Sequence, residues 1–428
     1  MKSRVSSIRI ILICLFIFFP VIAFADETSK INYSDTVWVM FSSALVMLML
    51  PGLALFYGGM VRRKNVLSTL MHSFVPLGVI TIQWVLFGYS LAFGNDIGNF
   101  IGDMSKTFFT GFDFKTLSGT IPEFLFSTFQ LMFAIITTAL ISGGIAERID
   151  FKAYIIFIFI WSTIVYDPIC HWVWGNGWLA DLGALDFAGG TVVHISSGTA
   201  ALAASLVLKK RKGFPGKLMI PHSLPLTLLG AGLLWFGWFG FNAGSALAAN
   251  ELAVLAFTNT QVSAGAGLIG WLLAEFIKVR KASALGAASG VVAGLVAITP
   301  AAGYVEPLWA IVIGLFAGII CYYAVIVKIK VGYDDSLDVL GIHAVGGAWG
   351  ALATGLFVTI GGTGLLTGNL NQVWIQLIGI IAAGAYSFII TYVLVLIIEK
   401  VIGFRVDEEG EEMGLDTTQH GETGYNLV

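Results

Sequence analysis

The chain has 428 residues, of which 57% are hydrophobic and 11% are charged. Soluble globular proteins carry about 25% charged residues, so this composition excludes an ordinary soluble domain and indicates a helical protein with several membrane crossings. The formal net charge of −3 argues against a nucleic-acid partner. No zinc-type spacing of Cys and His is present, and we expect neither a metal nor another cofactor.

The N-terminus has the pattern of a signal peptide. Lys2, Arg4 and Arg9 precede the apolar run IILICLFIFF, and the small residues AFA that follow fit a cleavage site. Cleavage after Ala25 would remove residues 1–25 and leave the mature N-terminus outside. An uncleaved extra span is the alternative.

Eleven apolar segments follow that are long enough to cross a hydrocarbon core about 30 Å thick. They predict an all-α polytopic membrane protein with a transmembrane domain over 26–403 and a cytoplasmic tail over 404–428. The predicted spans cover roughly 34–60, 66–93, 122–146, 153–173, 189–208, 221–247, 253–277, 283–303, 306–327, 337–360 and 372–402.

The basic residues predict the orientation of these spans, because cytoplasmic loops are enriched in Lys and Arg. After residue 25 the chain has 20 basic residues, and 17 of them lie in one alternate set of loops or in the C-terminal segment. The other set holds only Lys30, Lys106 and Lys115. We therefore expect the N-terminus outside and the C-terminus inside.

Spans five and ten each contain one histidine, in the runs GGTVVHISSG and LGIHAVGG. Small residues follow both His194 and His343 at offsets of three, four and seven, on the same helix face as the histidine. This match predicts two inverted repeats of five spans plus one long C-terminal helix. A lone histidine favours packing, but a matched pair near the bilayer centre favours a substrate path.

Three segments near the outer ends of spans three, six and four combine aromatic rings with small polar residues, namely FSTFQLMF, WFGFNAGSA and HWVWGNGW. Such rings attract small cations. An aromatic belt at the lipid headgroups is the alternative, and we favour it for Trp172 and Trp178. Asp186, just before span five, fits a helix cap better than a cation site.

The motifs DFAGGTVVHI, WFGFNAGSA, GGIAERI and DDSLDVLGIHAVGG resemble the ammonium transporter (Amt/Mep/Rh) family, particularly its bacterial Amt branch. The resemblance covers essentially the whole mature chain, including the tail MGLDTTQHGETGY. It implies a homotrimer in the bacterial cytoplasmic (inner) membrane, with a pore for ammonium or ammonia in each eleven-helix protomer. It implies a transporter and no enzyme.

Matching motif positions imply roles for individual residues. A PII-type nitrogen-signalling protein is the implied partner of the tail, for which a solvated, disordered segment is the alternative. The implied roles are an outer ammonium site of Phe129, Phe133, Trp174 and Ser245, a gate of Phe133 and Phe241, the pore histidines His194 and His343, and Asp186 as a support of the outer site.

Other functions compete with ammonium transport. A Rhesus-like electroneutral gas channel is disfavoured, since family members of that type lack the aromatic cage of the outer site. A sensor without substantial flux would need an output domain, and the tail over 404–428 is too short to be one. A membrane enzyme with the histidines as zinc ligands would need three or four ligands, and no third ligand accompanies the pair.

Overall fold

The computed structural model describes residues 31–426, and the predicted signal peptide, 1–25, lies outside them. Helices dominate the described part of the chain. Two short β-hairpins lie between the second and third long helices. In them β1 (Asp96–Ile97) pairs antiparallel with β2 (Ile101–Gly102), and β3 (Leu117–Ser118) pairs antiparallel with β4 (Ile121–Pro122).

Within residues 31–426, ten helices are long and apolar enough to cross a membrane, and an eleventh apolar helix has 15 residues. Two short helices follow in the tail. The helices are α1 (Tyr33–Met60), α2 (Arg63–Phe93), α3 (Glu123–Ile145), α4 (Phe151–Leu182), α5 (Gly190–Leu208), α6 (Leu224–Gly244), α7 (Glu251–Val279), α8 (Ala284–Ile298), α9 (Pro307–Val331), α10 (Leu340–Phe357), α11 (Asn371–Val401), α12 (Glu408–Met413) and α13 (Leu415–His420).

The short helix α8 corresponds to the predicted span 283–303. It begins as expected, with the Ser283 side chain accepting a hydrogen bond from the Gly286 N–H. It ends at Ile298, before Pro300. Proline has no N–H and cannot continue the helical hydrogen-bond ladder, so the helix is shorter than the apolar run in the sequence.

The helix contacts repeat at an offset of five. Helix α1 packs on α2 and α3, as α6 packs on α7 and α8. Similarly, α2 packs on α4 and α3 on α5, while α7 packs on α9 and α8 on α10. The two sets join through an extensive contact between α1 and α6, where a Cβ at Gly230 would lie 2.2 Å from the Phe56 nitrogen. Small residues allow such close helix packing in membranes.

The tail folds back onto one end of the helix bundle, which we call the tail end. Phe404 and Leu415 are buried, and the Leu415 N–H donates to the Asn65 side chain. The Ser68 N–H donates to the Asp416 carboxylate at 2.9 Å. The alternative of a solvated, disordered tail is therefore wrong, because burial and specific hydrogen bonds hold this segment.

A buried ion network joins several loops at the tail end. Glu147 accepts hydrogen bonds from Arg62 Nε at 3.0 Å and from Arg211 Nη1 at 2.8 Å. Arg211 also pairs with Asp334, with 2.8 Å between Nη2 and Oδ1. Burial opposes ionisation of Glu147, but the charges of Arg211 and Arg62 outweigh it and lower its pKa to about 2. The network therefore stays ionised at neutral pH.

Candidate functional site

The structure brings the two histidines of α5 and α10 together. His194 Nδ1 and His343 Nδ1 lie 3.3 Å apart, and both side chains are buried. One Nδ1 atom donates and the other accepts. The Nε2 atom of each ring therefore remains available to donate or accept a hydrogen bond with a molecule beside the pair. In the described part of the chain, His194 Nε2 has no hydrogen-bond partner.

Small residues allow α5 and α10 to cross closely beside the histidines. A Cβ at Gly198 would lie 2.4 Å from the Ala344 nitrogen, and a Cβ at Gly347 would lie 3.0 Å from the His194 Cβ. Gly198 and Gly347 each follow their histidine by four residues. The two small-residue strips thus face the partner helix, and larger side chains there would separate the rings.

Each histidine lies in a π-helical turn at the start of its helix, over Gly190–Ile195 and Leu340–Ala344. Such turns widen the helix by one residue and occur frequently at functional sites. The sequence pattern did not predict them, because apolar periodicity does not distinguish one widened turn from an ordinary α-turn.

Apolar side chains surround the histidine pair. The rings of Trp238 and Phe241 stack on His194, with centroid distances of 5.5 Å and 6.0 Å. Trp238 begins the predicted aromatic segment WFGFNAGSA, but that pattern did not predict its contact with His194, although it lies three residues before Phe241 on the same helix face. Among the described residues, no Asp, Glu, Lys or Arg lines the narrow cavity at the pair. Its lining residues are Met49, Leu53, Phe56, Ile136, Leu140, Leu234, Trp238, Phe241, Val292 and the two histidines.

A second cavity lies on the side of the histidines away from the tail, and we call it the aromatic cavity. It has a volume of about 280 Å³. Three of the four predicted outer-site residues, Phe133, Trp174 and Ser245, line it together. The fourth, Phe129, packs against Phe133 with a centroid distance of 4.9 Å. The other lining residues are Phe126, Gln130, Val173, Phe187 and Leu247.

Two phenylalanines close the space between the aromatic cavity and the histidine pair. The Phe133 and Phe241 ring centroids lie 4.4 Å apart, with the planes tilted by 36° rather than stacked in parallel. Both side chains are buried. Because Phe133 lines the aromatic cavity and Phe241 stacks on His194, a solute that passes between them must displace the rings.

Asp186 caps the first turn of α5. Its carboxylate accepts hydrogen bonds from four backbone N–H groups, including those of Gly190 and Thr191 at 2.7 Å each. Its backbone carbonyl accepts a hydrogen bond from Trp174 Nε1 at 2.9 Å. Burial raises the pKa of Asp186 above its ordinary value, against the effect of these N–H donors. Asp186 therefore positions the Trp174 ring and the histidine helix at the same time.

The described residues 31–426 contain no group of three or more His, Cys, Asp or Glu side chains that could hold a metal ion. The histidine pair thus has no third ligand in this part of the chain, and a structural zinc site normally requires four.

The sequence and the fold of this chain are similar to those of one family of known proteins. The model of the Ammonium Transporter Family matches residues 37–425. An ammonium transporter of Bacillus subtilis (strain 168) is 51% identical over 401 residues, which cover 91% of this chain and 98% of that protein. The crystal structure of Saccharomyces cerevisiae Mep2 is 38% identical, with a TM-score of 0.84 and coverage of 89% of this chain and 90% of that chain. A structure named Sensor Amt Protein is 30% identical, with a TM-score of 0.85 and coverage of 90% and 98%.

Proposed function

This chain belongs to the ammonium transporter family, and from that premise we propose how it moves ammonium or ammonia across a membrane. An ammonium ion binds in the aromatic cavity and gives up a proton, which the hydrogen-bonded histidine pair relays across the membrane separately from ammonia. Ammonia then passes the two phenylalanines and the histidine pair. The observation that carries this proposal is a buried hydrogen-bonded imidazole pair, lined by apolar side chains, directly beneath an aromatic cavity.

Exclusion of potassium is the physical problem that the histidine pair solves. Burial of an unpaired cation among apolar side chains costs many kcal/mol. Ammonium avoids most of that cost when it loses a proton, whereas potassium has no proton to lose. Neutral imidazoles can donate to and accept from ammonia, so the pair provides polar contacts without offering a counter-charge to potassium.

The aromatic cavity supplies the capture step. The Ser245 hydroxyl donates to the Phe241 carbonyl at 2.8 Å, so its oxygen remains available to accept a hydrogen bond from an ammonium ion. The Trp174 and Phe133 rings meet nearly at right angles, with centroids 5.7 Å apart. Their faces add cation–π attraction to that hydrogen bond.

Replacement of Trp174 by Leu is expected to weaken capture while preserving the fold. A cation–π contact contributes about 0.5–2 kcal/mol, so the half-saturating ammonium concentration should rise by about 2- to 30-fold. Concentration-dependent transport in vesicles measures this change. Trp178→Leu is the matched control, because Trp178 does not line the cavity. An unchanged concentration dependence in Trp174→Leu would rule out this capture site.

We also propose that all eleven apolar helices cross the membrane as two inverted repeats of five plus α11. The offset-of-five contacts support the repeats. The basic residues Arg62, Arg211 and Arg405 lie at the tail end, which supports a cytoplasmic tail and an outside N-terminus. The membrane would be the bacterial cytoplasmic membrane, and the assembly a homotrimer, as the family resemblance implies.

The folded tail supports a regulatory role, and we propose a PII-type signalling protein as its partner. The Lys64 ammonium donates to the Glu411 carbonyl at 2.8 Å, and the Arg405 guanidinium pairs with the Glu411 carboxylate at 2.6 Å. The Lys64 contact connects the tail to the start of α2, whereas the Arg405–Glu411 pair lies within the tail. The backbone N–H of Lys212, in the α5–α6 loop, also donates to the Glu411 carboxylate at 2.7 Å. A protein that binds the tail could thus act on the loops at the cytoplasmic mouth.

Deletion of 404–428 is expected to lower ammonium transport or to abolish inhibition by the PII-type protein, because the loops lose these contacts. Transport in vesicles with and without that protein measures both effects. Truncation after His420 is the control, since it keeps both tail helices. Normal transport together with normal inhibition in the 404–428 deletion would refute the regulatory role.

Sensing is the second candidate function, favoured by the similarity to the structure named Sensor Amt Protein. A sensor binds ammonium in the aromatic cavity with little flux past the phenylalanines. Binding measured on the purified protein, compared with flux in vesicles, separates the two functions.

A further inference from the structure

The two histidine helices begin in equivalent ways at opposite ends of the molecule. Asp186 and Asp335 each precede the histidine of their helix by eight residues. Each carboxylate accepts a hydrogen bond from the backbone N–H five residues later, at 2.7 Å from Thr191 and at 2.7 Å from Leu340. Asp335 at the tail end is therefore the counterpart of Asp186 beside the aromatic cavity.

The side chain that binds the backbone of each aspartate differs between the two ends. The Asp186 carbonyl accepts a hydrogen bond from the neutral indole of Trp174, at 2.9 Å. The Asp335 carbonyl accepts one from the ammonium group of Lys328, at 2.7 Å. Trp174 comes from α4 and Lys328 from α9, which are equivalent helices in the offset-of-five pattern. A tethered ammonium thus lies where the other end has an aromatic ring.

A second difference accompanies the first. Gly189 and Asp338 each lie five residues before the histidine of their helix. Their φ angles are 113° and 65°, so both residues have a left-handed backbone conformation. Gly189 adds no side chain, whereas the Asp338 carboxylate forms a salt bridge with the Lys328 ammonium. The Lys328 side chain is 9% exposed and that of Asp338 is 29% exposed. An internal ion pair therefore occupies the tail end, in contrast to the open aromatic cavity.

We propose that Lys328 is a tethered cation that occupies the inner counterpart of the ammonium capture site and keeps free ammonium from binding there. The single ammonium of Lys328 serves both aspartates, because it bonds the Asp335 carbonyl and pairs with the Asp338 carboxylate. Within residues 31–426, Asp335 Oδ1 is buried without a hydrogen-bond partner. Without the lysine, the Asp335 carbonyl and the Asp338 carboxylate would both lose their positive partner and would attract a free cation. This inference rests on the proposed transport function.

The consequence is a difference in apparent affinity between the two sides of the membrane. A passive transporter equilibrates its solute, so Lys328 cannot set the direction of net flux. It can raise the half-saturating concentration and the maximal rate together for transport that starts from the tail end. Transport from the side of the aromatic cavity keeps the lower half-saturating concentration.

The test compares ammonium transport from each side in sealed vesicles of known orientation. In the wild type, the half-saturating concentration should be higher from the tail end than from the opposite end. Lys328→Met should lower the half-saturating concentration for transport from the tail end at least about tenfold, because a unit positive charge is lost next to two carboxyl groups. The half-saturating concentration from the opposite end should stay unchanged. Lys328→Met with Asp338→Asn should reverse much of that decrease.

Equal half-saturating concentrations from both sides of the wild type would overturn the inference, whether or not the variants fold. An unchanged tail-end value in Lys328→Met, or identical values in the single and double variants, would overturn it as well. Wild-type protein without any ammonium transport would instead overturn the proposed function and this inference with it.

Discussion

The His343→Ala variant is expected to lose most of its ammonium transport. The substitution removes the only hydrogen-bond partner of His194 Nδ1 within the described residues 31–426. An unsatisfied buried polar group costs about 1–3 kcal/mol, or about 5- to 150-fold in rate if the cost falls on the transport step. The remaining imidazole also has no partner to select its tautomer or to complete a proton relay.

Aspartate at either position tests the charge requirement of the same pair. A carboxylate of His194→Asp or His343→Asp would stabilise a bare cation among the apolar side chains. We expect each variant either to stop transport or to admit potassium. Currents measured separately with ammonium and with potassium distinguish these results from the wild type.

The control for these variants is His222→Ala, since His222 lies at the tail end, where its Nδ1 bonds the Val61 carbonyl. It should keep wild-type transport. Wild-type rates and complete exclusion of potassium in His343→Ala and in both aspartate variants would mean that the histidine pair only fills space.

Glu147→Gln is expected to cause the largest loss of stability. The carboxylate accepts hydrogen bonds from Arg62 and Arg211, and its side chain is 1% exposed. The substitution leaves the two guanidinium groups without this counter-charge. Loss of one partner in a buried ion pair costs about 3–5 kcal/mol. The melting temperature of the purified protein should therefore fall sharply.

The matched control is Glu408→Gln, because the Glu408 side chain is 91% exposed and its carboxylate lies 3.9 Å from the Lys212 ammonium. Substitution of such a surface residue usually changes stability by less than about 0.5 kcal/mol. If both variants have the melting temperature of the wild type, the buried network does not stabilise the tail end.

The same network predicts sensitivity to acid. Burial disfavours the charged form of Asp334, but Arg211 and Arg148 outweigh it and lower its pKa to about 2, the value also found for Glu147. Ordinary Asp and Glu carboxyl groups have a pKa of about 4. As the pH falls, the unfolded chain therefore binds protons at these carboxylates before the folded chain does. The stability that the network contributes is complete above about pH 4.5 and disappears as the pH falls towards 2. Glu147→Gln should show a smaller dependence of the melting temperature on pH in this range.

Much of the architecture was predictable because lipid imposes simple constraints on sequence. A helix that crosses the hydrocarbon core must be long and apolar, so the ten long helices were visible as apolar runs. The family resemblance is confirmed by the match over residues 37–425. The equal offsets of small residues after His194 and His343 reflect a real helix crossing, where Gly198 and Gly347 face the partner helix.

Other features depend on contacts between residues that are distant in the chain. Arg211 and Asp334 are separated by 123 positions, and no local pattern indicates that they pair. The tail is polar and lacks the periodicity of a span, so its docking follows only from contacts such as that of Asp416 with the Ser68 N–H. The proposed role of Lys328 follows only from comparison of its contact with Asp335 and the contact of Trp174 with Asp186.

Ammonium-evoked current in liposomes that contain only this purified protein tests the central claim most directly. The account predicts a saturable current with ammonium, no current with an equal gradient of potassium, and loss of most of the ammonium current in His343→Ala. The absence of ammonium-evoked current or ammonia flux in wild-type liposomes, or an equal current with potassium, would contradict transport by capture, deprotonation and passage along the histidine pair.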